Sequence, residues 1–136
     1  MKKFGFAIAI WLALTLTAAA QGPVCATGEQ AMMTVELLFG RNIGGRLGVT
    51  ERRWAEFLAE IVTPRFPHGV TVIDAAGQWR DPEQGRVVHE RSKIVMLVIK
   101  DDAEAREKVG FVVADYKKRF RQQSVGVLTR PACASF

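Results

Sequence analysis

The side chains of this sequence best suited to chemistry crowd together: Trp79-Arg80, then Glu90 and Lys93, with Arg65 a short way upstream. A carboxylate, cations and an indole in one neighbourhood could form a small polar ligand site. Arg80 and Lys93 would bind an anion, Trp79 would supply an apolar wall, and Glu90 would orient the ligand or exchange a proton. The same residues can also form a structural network, with Glu90 paired to Arg80 or Arg65 and Trp79 covering the edge of a core. Charged groups at an apolar edge are commonly held by opposite charge, and this favours the network.

Other chemistries fail on spacing. Gly40 to Gly45 followed by Arg46-Leu47 has the glycines of a phosphate loop but lacks its Lys-Ser/Thr, so it reads as a flexible turn. Arg41 and Arg46 could still draw an anion to the start of the next helix. His68 and His89 are far apart and have no third ligand, so no metal site is expected. No serine occupies a nucleophile elbow. No cofactor is expected.

The elements that must position these residues follow from periodicity. Residues 32–39 are rich in strand formers and stop at Gly40. Thr50 can cap a helix whose face is Trp54, Phe57, Leu58 and Ile61, ended by Pro64. Val70 to Ile73 and Lys93 to Ile99 read as two strands of an extended hairpin around the turn-forming 81–85, with Gly77 permitting a bulge or a close approach. Asp101 or Asp102 can cap a second helix, with face Ala105, Val109, Val112, Val113, Tyr116 and Phe120. Ser124 to Thr129 supplies the last strand, closed by Pro131. The order β-α-β-β-α-β is the split arrangement called ferredoxin-like: α+β, a four-stranded antiparallel sheet in order 4-1-3-2, and two helices on one face.

Residues 1–20 read as a secretory signal peptide, with Lys2 and Lys3, an apolar run from Phe6 to Leu16, and Ala18-Ala19-Ala20 as the cleavage pattern. The run is short for a membrane span, so no transmembrane helix is expected in the mature chain and the expected location is periplasmic or secreted. A lipoprotein acylated at Cys25 is the nearest rival, although Val24 is a poor residue to precede such a site. Residues 21–31 are assigned to a tail and 32–136 to a single domain. Loss of the leader's two lysines lowers the net charge from +5 to +3. The basic run Lys117-Lys118-Arg119-Phe120-Arg121 suits a helix end, where cations complement the macrodipole. RNA-binding domains share this topology, but the third strand lacks their stacking aromatics, so no nucleic acid is expected.

Two cysteines, Cys25 and Cys133, flank the domain. In the order 4-1-3-2 the start of the first strand lies beside the end of the fourth, which predicts a structural disulfide between them. The third strand is apolar on both faces: Ile94, Met96 and Val98 on one, Val95, Leu97 and Ile99 on the other. Helices cover only one face, so a homodimer through the open face is expected, the alternative being that the tail folds across it.

Several segments carry a family resemblance: Thr63-Pro64-Arg65-Phe66-Pro67-His68-Gly69, Gly77-Gln78-Trp79-Arg80-Asp81, Glu90-Arg91-Ser92-Lys93 and Pro131-Ala132-Cys133-Ala134-Ser135-Phe136. Over about residues 33–136 the chain resembles the secreted bacterial domain-of-unknown-function 3574 family. That family commonly has an acidic residue where His68 stands, which argues against a general role for His68. The resemblance implies no particular activity. The sequence therefore reads first as a non-enzymatic module binding a small ligand or an envelope protein. The alternative is a small cofactor-independent enzyme of the dimeric α+β barrel type, with its pocket between helices and sheet and Glu90 or Asp74 as general base.

Overall fold

The computed structural model describes residues 24–136, so the expected signal peptide and the first residues of the tail lie outside the described residues. Strand β1 (Gln30–Gly40) alternates strictly: Met33, Val35, Leu37 and Phe39 are buried on one face, and Thr34, Glu36 and Leu38 point to the other. It pairs antiparallel with β5 (Val87–Ile99) on one side and β6 (Gly126–Ala134) on the other. Strand β4 (Thr71–Arg80) extends the sheet beyond β5, giving the order β4-β5-β1-β6. A small ribbon of β2 (Asn42–Ile43) and β3 (Arg46–Leu47) replaces the flexible glycine turn expected after β1.

Two helices complete the α+β architecture. The Phe39 ring lies 5.4 Å from Trp54 and 5.8 Å from Phe57 of α1 (Glu51–Phe57), and 4.5 Å from Tyr116 of α2 (Ala103–Phe120). One side chain thus touches both helices, which places them on the same face of the sheet. Thr50 caps α1 by accepting a hydrogen bond from the Arg53 N–H at 3.3 Å. The helix does not run on to Pro64 as a regular α-helix, because its last turn, Leu58–Val62, is π-helical and the Thr63 N–H donates to the Leu58 carbonyl at 2.9 Å. The wide turn corrects the expected face. Val62, five residues after Phe57, becomes fully buried, while Ile61 is left half-buried. In α2 the cap is Asp102, which accepts from the Ala105 N–H at 2.8 Å, and Val109, Val112, Tyr116 and Phe120 fill the core.

The hairpin strands are longer than the apolar pattern suggests. Buried Asp81 closes the turn between them, its Oδ1 accepting from the N–H groups of Glu83 (2.8 Å) and Gln84 (3.2 Å), with Gly85 at φ 65°. Pairing runs without interruption past Gly77, which faces Glu90, so of the two roles open to this glycine the close approach is the one adopted. Strand β6 does not stop at Pro131 but continues to Ala134. As an edge strand it tolerates a residue that cannot donate to the ladder. This extension sets Cys133 opposite Ala31 and within reach of Cys25, and the two form the expected disulfide, with Cα atoms 5.5 Å apart. Gln30 and Ala31 of the expected tail belong to β1, and Leu38, Ile73 and Leu128 remain exposed on the face away from the helices. Among the described residues, no helix is long and apolar enough to cross a membrane.

Candidate functional site

Strand parity divides the sequence-derived candidates between two faces. Lys93 pairs with Phe39 and Asp74 on the helix side, whereas Glu90 pairs with Gly77 on the open side. Lys93 is 5% exposed and its ammonium contacts Asp74 at 2.5 Å and Glu51 at 2.9 Å. Burial alone would lower its pKa, but the hydrogen bonds to Asp74 and Glu51 more than offset this and hold it above the ordinary lysine range. Glu51 is in turn held below the usual carboxylate range by Lys93 and then by Arg41, whose guanidinium lies 2.6 Å away. Arg41 is buried and its Nε donates to the Val49 carbonyl at 2.8 Å. The anion-attracting role considered for Arg41 therefore gives way to a clamp between the ribbon and α1, and Lys93 is a member of the same clamp.

Glu90 has a different setting. On the open face lies a cavity of about 410 Å³ whose floor is stripped of side chains at Gly40, Gly77 and Gly126, from three different strands. Trp79 and Val88, paired across the hairpin, form one wall, and half-buried Glu90 enters from β5 beside them. The Glu90 carboxylate accepts one hydrogen bond, from the Asn42 N–H at 3.2 Å, and makes no ion pair with the described residues. The absence of side chain at Gly40 is what admits it: a Cβ there would sit 2.6 Å from Glu90 Oε1. From the opposite face the Tyr116 hydroxyl donates to the Gly40 carbonyl at 2.7 Å and pins that strand end. Burial pushes the Tyr116 phenol far above its usual pKa, so it stays a neutral donor. Gln122 donates to the Asn42 carbonyl at 2.7 Å and ties the end of α2 to the same rim, where Arg86 and Arg121 are exposed. The Ser92 hydroxyl lines the floor without a hydrogen bond to the described residues.

The structure thus brings Trp79 and Glu90 together and leaves the others elsewhere. Arg80 is exposed on the helix side of the edge strand β4. Arg65 lies at the far end of the sheet, its guanidinium 3.8 Å from the centre of the Phe111 ring and donating to the Ile61 carbonyl at 2.8 Å. Neither arginine pairs with Glu90, so the network expected around this carboxylate is not formed. Arg65 and His68 instead line a second cavity of about 620 Å³, where Lys108 pairs with Glu104 at 2.6 Å and Asp102 caps α2. Among the described residues, the one trio of metal-ligand type is Cys25, Glu29 and Cys133, and its two sulfurs are joined in the disulfide.

Residues 34–136 match the family described as Protein of unknown function (DUF3574). The chain belongs to this family. Among solved structures it is similar to a phage SAM lyase in complex with S-methyl-5'-thioadenosine, at 15% identity and a TM-score of 0.62, covering 84% of this chain and 95% of that one. It is likewise similar to a phage SAM lyase in the apo state, at 16% identity and a TM-score of 0.55, covering 90% and 97%. At these identities the likeness is one of fold. No curated protein matches the chain.

Of this family member's pocket, the sequence reading missed Gly40, Ser92, Asn42, Gly126, Arg86 and Arg121. Parity offered a signal for one of them. Ser92 is two residues from Glu90 on one strand and must share its face, and Lys93 must not. The remaining residues come from β1, β2, the hairpin turn, the end of α2 and β6, and only the fold brings them together.

Proposed function

We propose that this chain is a secreted or periplasmic ferredoxin-like module, of strand order 4-1-3-2, that binds a small ligand on the open face of its sheet against Glu90 and Trp79. The observation that carries this reading is the half-buried Glu90 carboxylate, which enters a cavity of about 410 Å³ without a counter-charge among the described residues. A partly desolvated carboxylate is costly unless something completes its shell, and a ligand would do so. The disulfide is compatible with an oxidising compartment.

The test is a ligand titration followed by tryptophan fluorescence. It begins with S-methyl-5'-thioadenosine, the nucleoside bound by a neighbour of the same fold. Trp79→Ala and Glu90→Gln are each expected to weaken binding by about tenfold or more, which corresponds to about 1.4 kcal/mol. Both should unfold within about 1 kcal/mol of the wild type, as surface changes do. Two folded variants that bind like the wild type would refute the reading.

A second reading, a cofactor-independent enzyme with Glu90 as general base, draws support from the same unpaired carboxylate and from the name of the structural neighbours. Asp74 suits that role less, being paired with Lys93 at 2.5 Å. The pocket for such chemistry would be the one on the open face, and not one between helices and sheet. Substrate turnover by the wild type that Glu90→Gln abolishes, with binding retained, would favour it. The open face also carries Leu38, Ile73, Ile94, Met96 and Leu128, and the proposed homodimer pairs two such faces. Sedimentation of a monomer at every concentration tested would remove the dimer.

A further inference from the structure

We infer that the ligand class of the open-face pocket is a small zwitterion, with an alkylated organic cation inward against Glu90 and an acidic group outward at Arg86 and Arg121. The inference rests on the small-ligand reading above and deepens it. Its basis is the layout of charge: among the described residues the lining holds half-buried Glu90 and the buried Asp81, which is engaged by the hairpin turn, while the rim holds two exposed guanidinium groups. Arg121 projects from the end of α2 in a left-handed conformation (φ 51°), and Arg86 is steadied through its Nε by Gln84 Oε1 at 2.7 Å. A molecule with its negative end inward would meet Glu90 unfavourably. A neutral molecule without hydrogen-bond donors would strip water from that carboxylate and return nothing, and one with donors would leave its charge uncompensated.

The lining narrows the cation. A bare metal ion would need several oxygen ligands, yet the other pocket carboxylate, Asp81, is buried and engaged by the turn N–H groups. What accompanies Glu90 is Trp79, Val88 and Leu38, an indole and aliphatic surface. Such a surface suits a weakly hydrated onium centre whose carbon substituents meet the apolar wall while its charge faces the carboxylate and the ring. The glycine floor lets the ligand lie against the backbone of the sheet. At about 410 Å³ the cavity falls at the small end of ligand sites.

The experiment holds shape constant and varies charge. Four probes are titrated into the mature, disulfide-bonded protein while the Trp79 indole and Asn42 amide signals are followed by NMR. They are glycine betaine, choline, 3,3-dimethylbutyrate and 3,3-dimethylbutanol, which carry both charges, the cation alone, the anion alone and neither. Betaine is expected to bind best, and each trimethylammonium compound to bind about tenfold or more better than its carbon isostere. Glu90→Gln should abolish that cation preference. Arg86→Gln combined with Arg121→Gln should abolish the advantage of betaine over choline and leave the cation preference intact. Pocket signals that move equally with all four probes, or a cation preference that survives Glu90→Gln, would overturn the zwitterion and leave a small-ligand site standing. Pocket signals that move with none of the four, nor with S-methyl-5'-thioadenosine, would overturn both.

Discussion

Gly40→Ala separates the fold from the site. The backbone of Gly40 is not left-handed, so alanine meets no conformational strain there, and the tail of one flexible side chain is what stands in its way. Its Cβ would lie 2.6 Å from Oε1 and 2.8 Å from Cδ of Glu90, which must swing out of the cavity and release the Asn42 N–H. A hydrogen bond to a charged group contributes about 1.5–3 kcal/mol, and at 3.2 Å this one belongs at the low end. Alanine in place of a strand glycine returns about 0.5–1 kcal/mol. The net destabilisation is then about 0.5–1 kcal/mol, a fall of about 2–6 °C in Tm for a domain of this size. Urea unfolding measures the stability, and loss of the Asn42 amide shift together with ligand titration reports the displaced carboxylate. The expected result is a folded protein whose ligand affinity drops as far as that of Glu90→Gln. A loss above about 4 kcal/mol would mean that the sheet had to move, placing Glu90 in a rigid scaffold and refuting the account of Gly40 as a port for a mobile acid.

Two further perturbations test the scaffold. Replacing Cys25 and Cys133 together by serine opens a cross-link with a sequence separation of 108 residues. By the chain-entropy argument this costs about 4–5 kcal/mol, with a steeper urea dependence as the unfolded chain expands, and a cost under about 1 kcal/mol would refute a structural staple. Lys93→Met removes the cation at the centre of the Glu51–Asp74 clamp while filling the same volume, and its readout is stability against pH. In the wild type the raised Lys93 pKa gives a contribution that is complete below the ordinary lysine value and is lost as pH rises through the folded value. The lowered Glu51 pKa gives one that is present above the ordinary carboxylate value and is lost as pH falls through the folded value. Lys93→Met should remove the alkaline loss and shrink the acid one, and an unchanged alkaline limb would contradict the role given to Lys93.

Local patterns made most of the architecture legible. The alternation in β1, the Thr50 cap and the face of α2 each follow from one stretch of sequence, and the fate of the cysteines follows once the four strands are ordered. What stayed hidden depended on nonlocal geometry. The π-helical turn that buries Val62 in place of Ile61 shows only in the folded core, and the tolerance of Pro131 inside β6 comes from its place at the sheet edge. The site was half legible. Trp79 and Glu90 were identified by residue type, but the cations assigned with them were chosen by nearness in sequence, and nearness in a strand means little unless the separation is even.

That parity explains how one strand serves two purposes. At positions 93, 95 and 97 β5 presents Lys93, Val95 and Leu97 to the helices, where the lysine is paired in the clamp and the two apolar side chains are fully buried. At positions 88, 90 and 92 it presents Val88, Glu90 and Ser92 to the cavity, where, among the described residues, the carboxylate holds a single backbone N–H and the hydroxyl holds none. Folding therefore accounts for the first set completely and for the second hardly at all. The residues that folding does not need to satisfy are the ones left for a ligand. Ser92→Lys tests this directly: the lysine would fill the pocket and pair with Glu90, and ligand affinity should vanish with little change in stability. If Ser92→Lys binds ligand as the wild type does, the open-face cavity is not where the ligand sits.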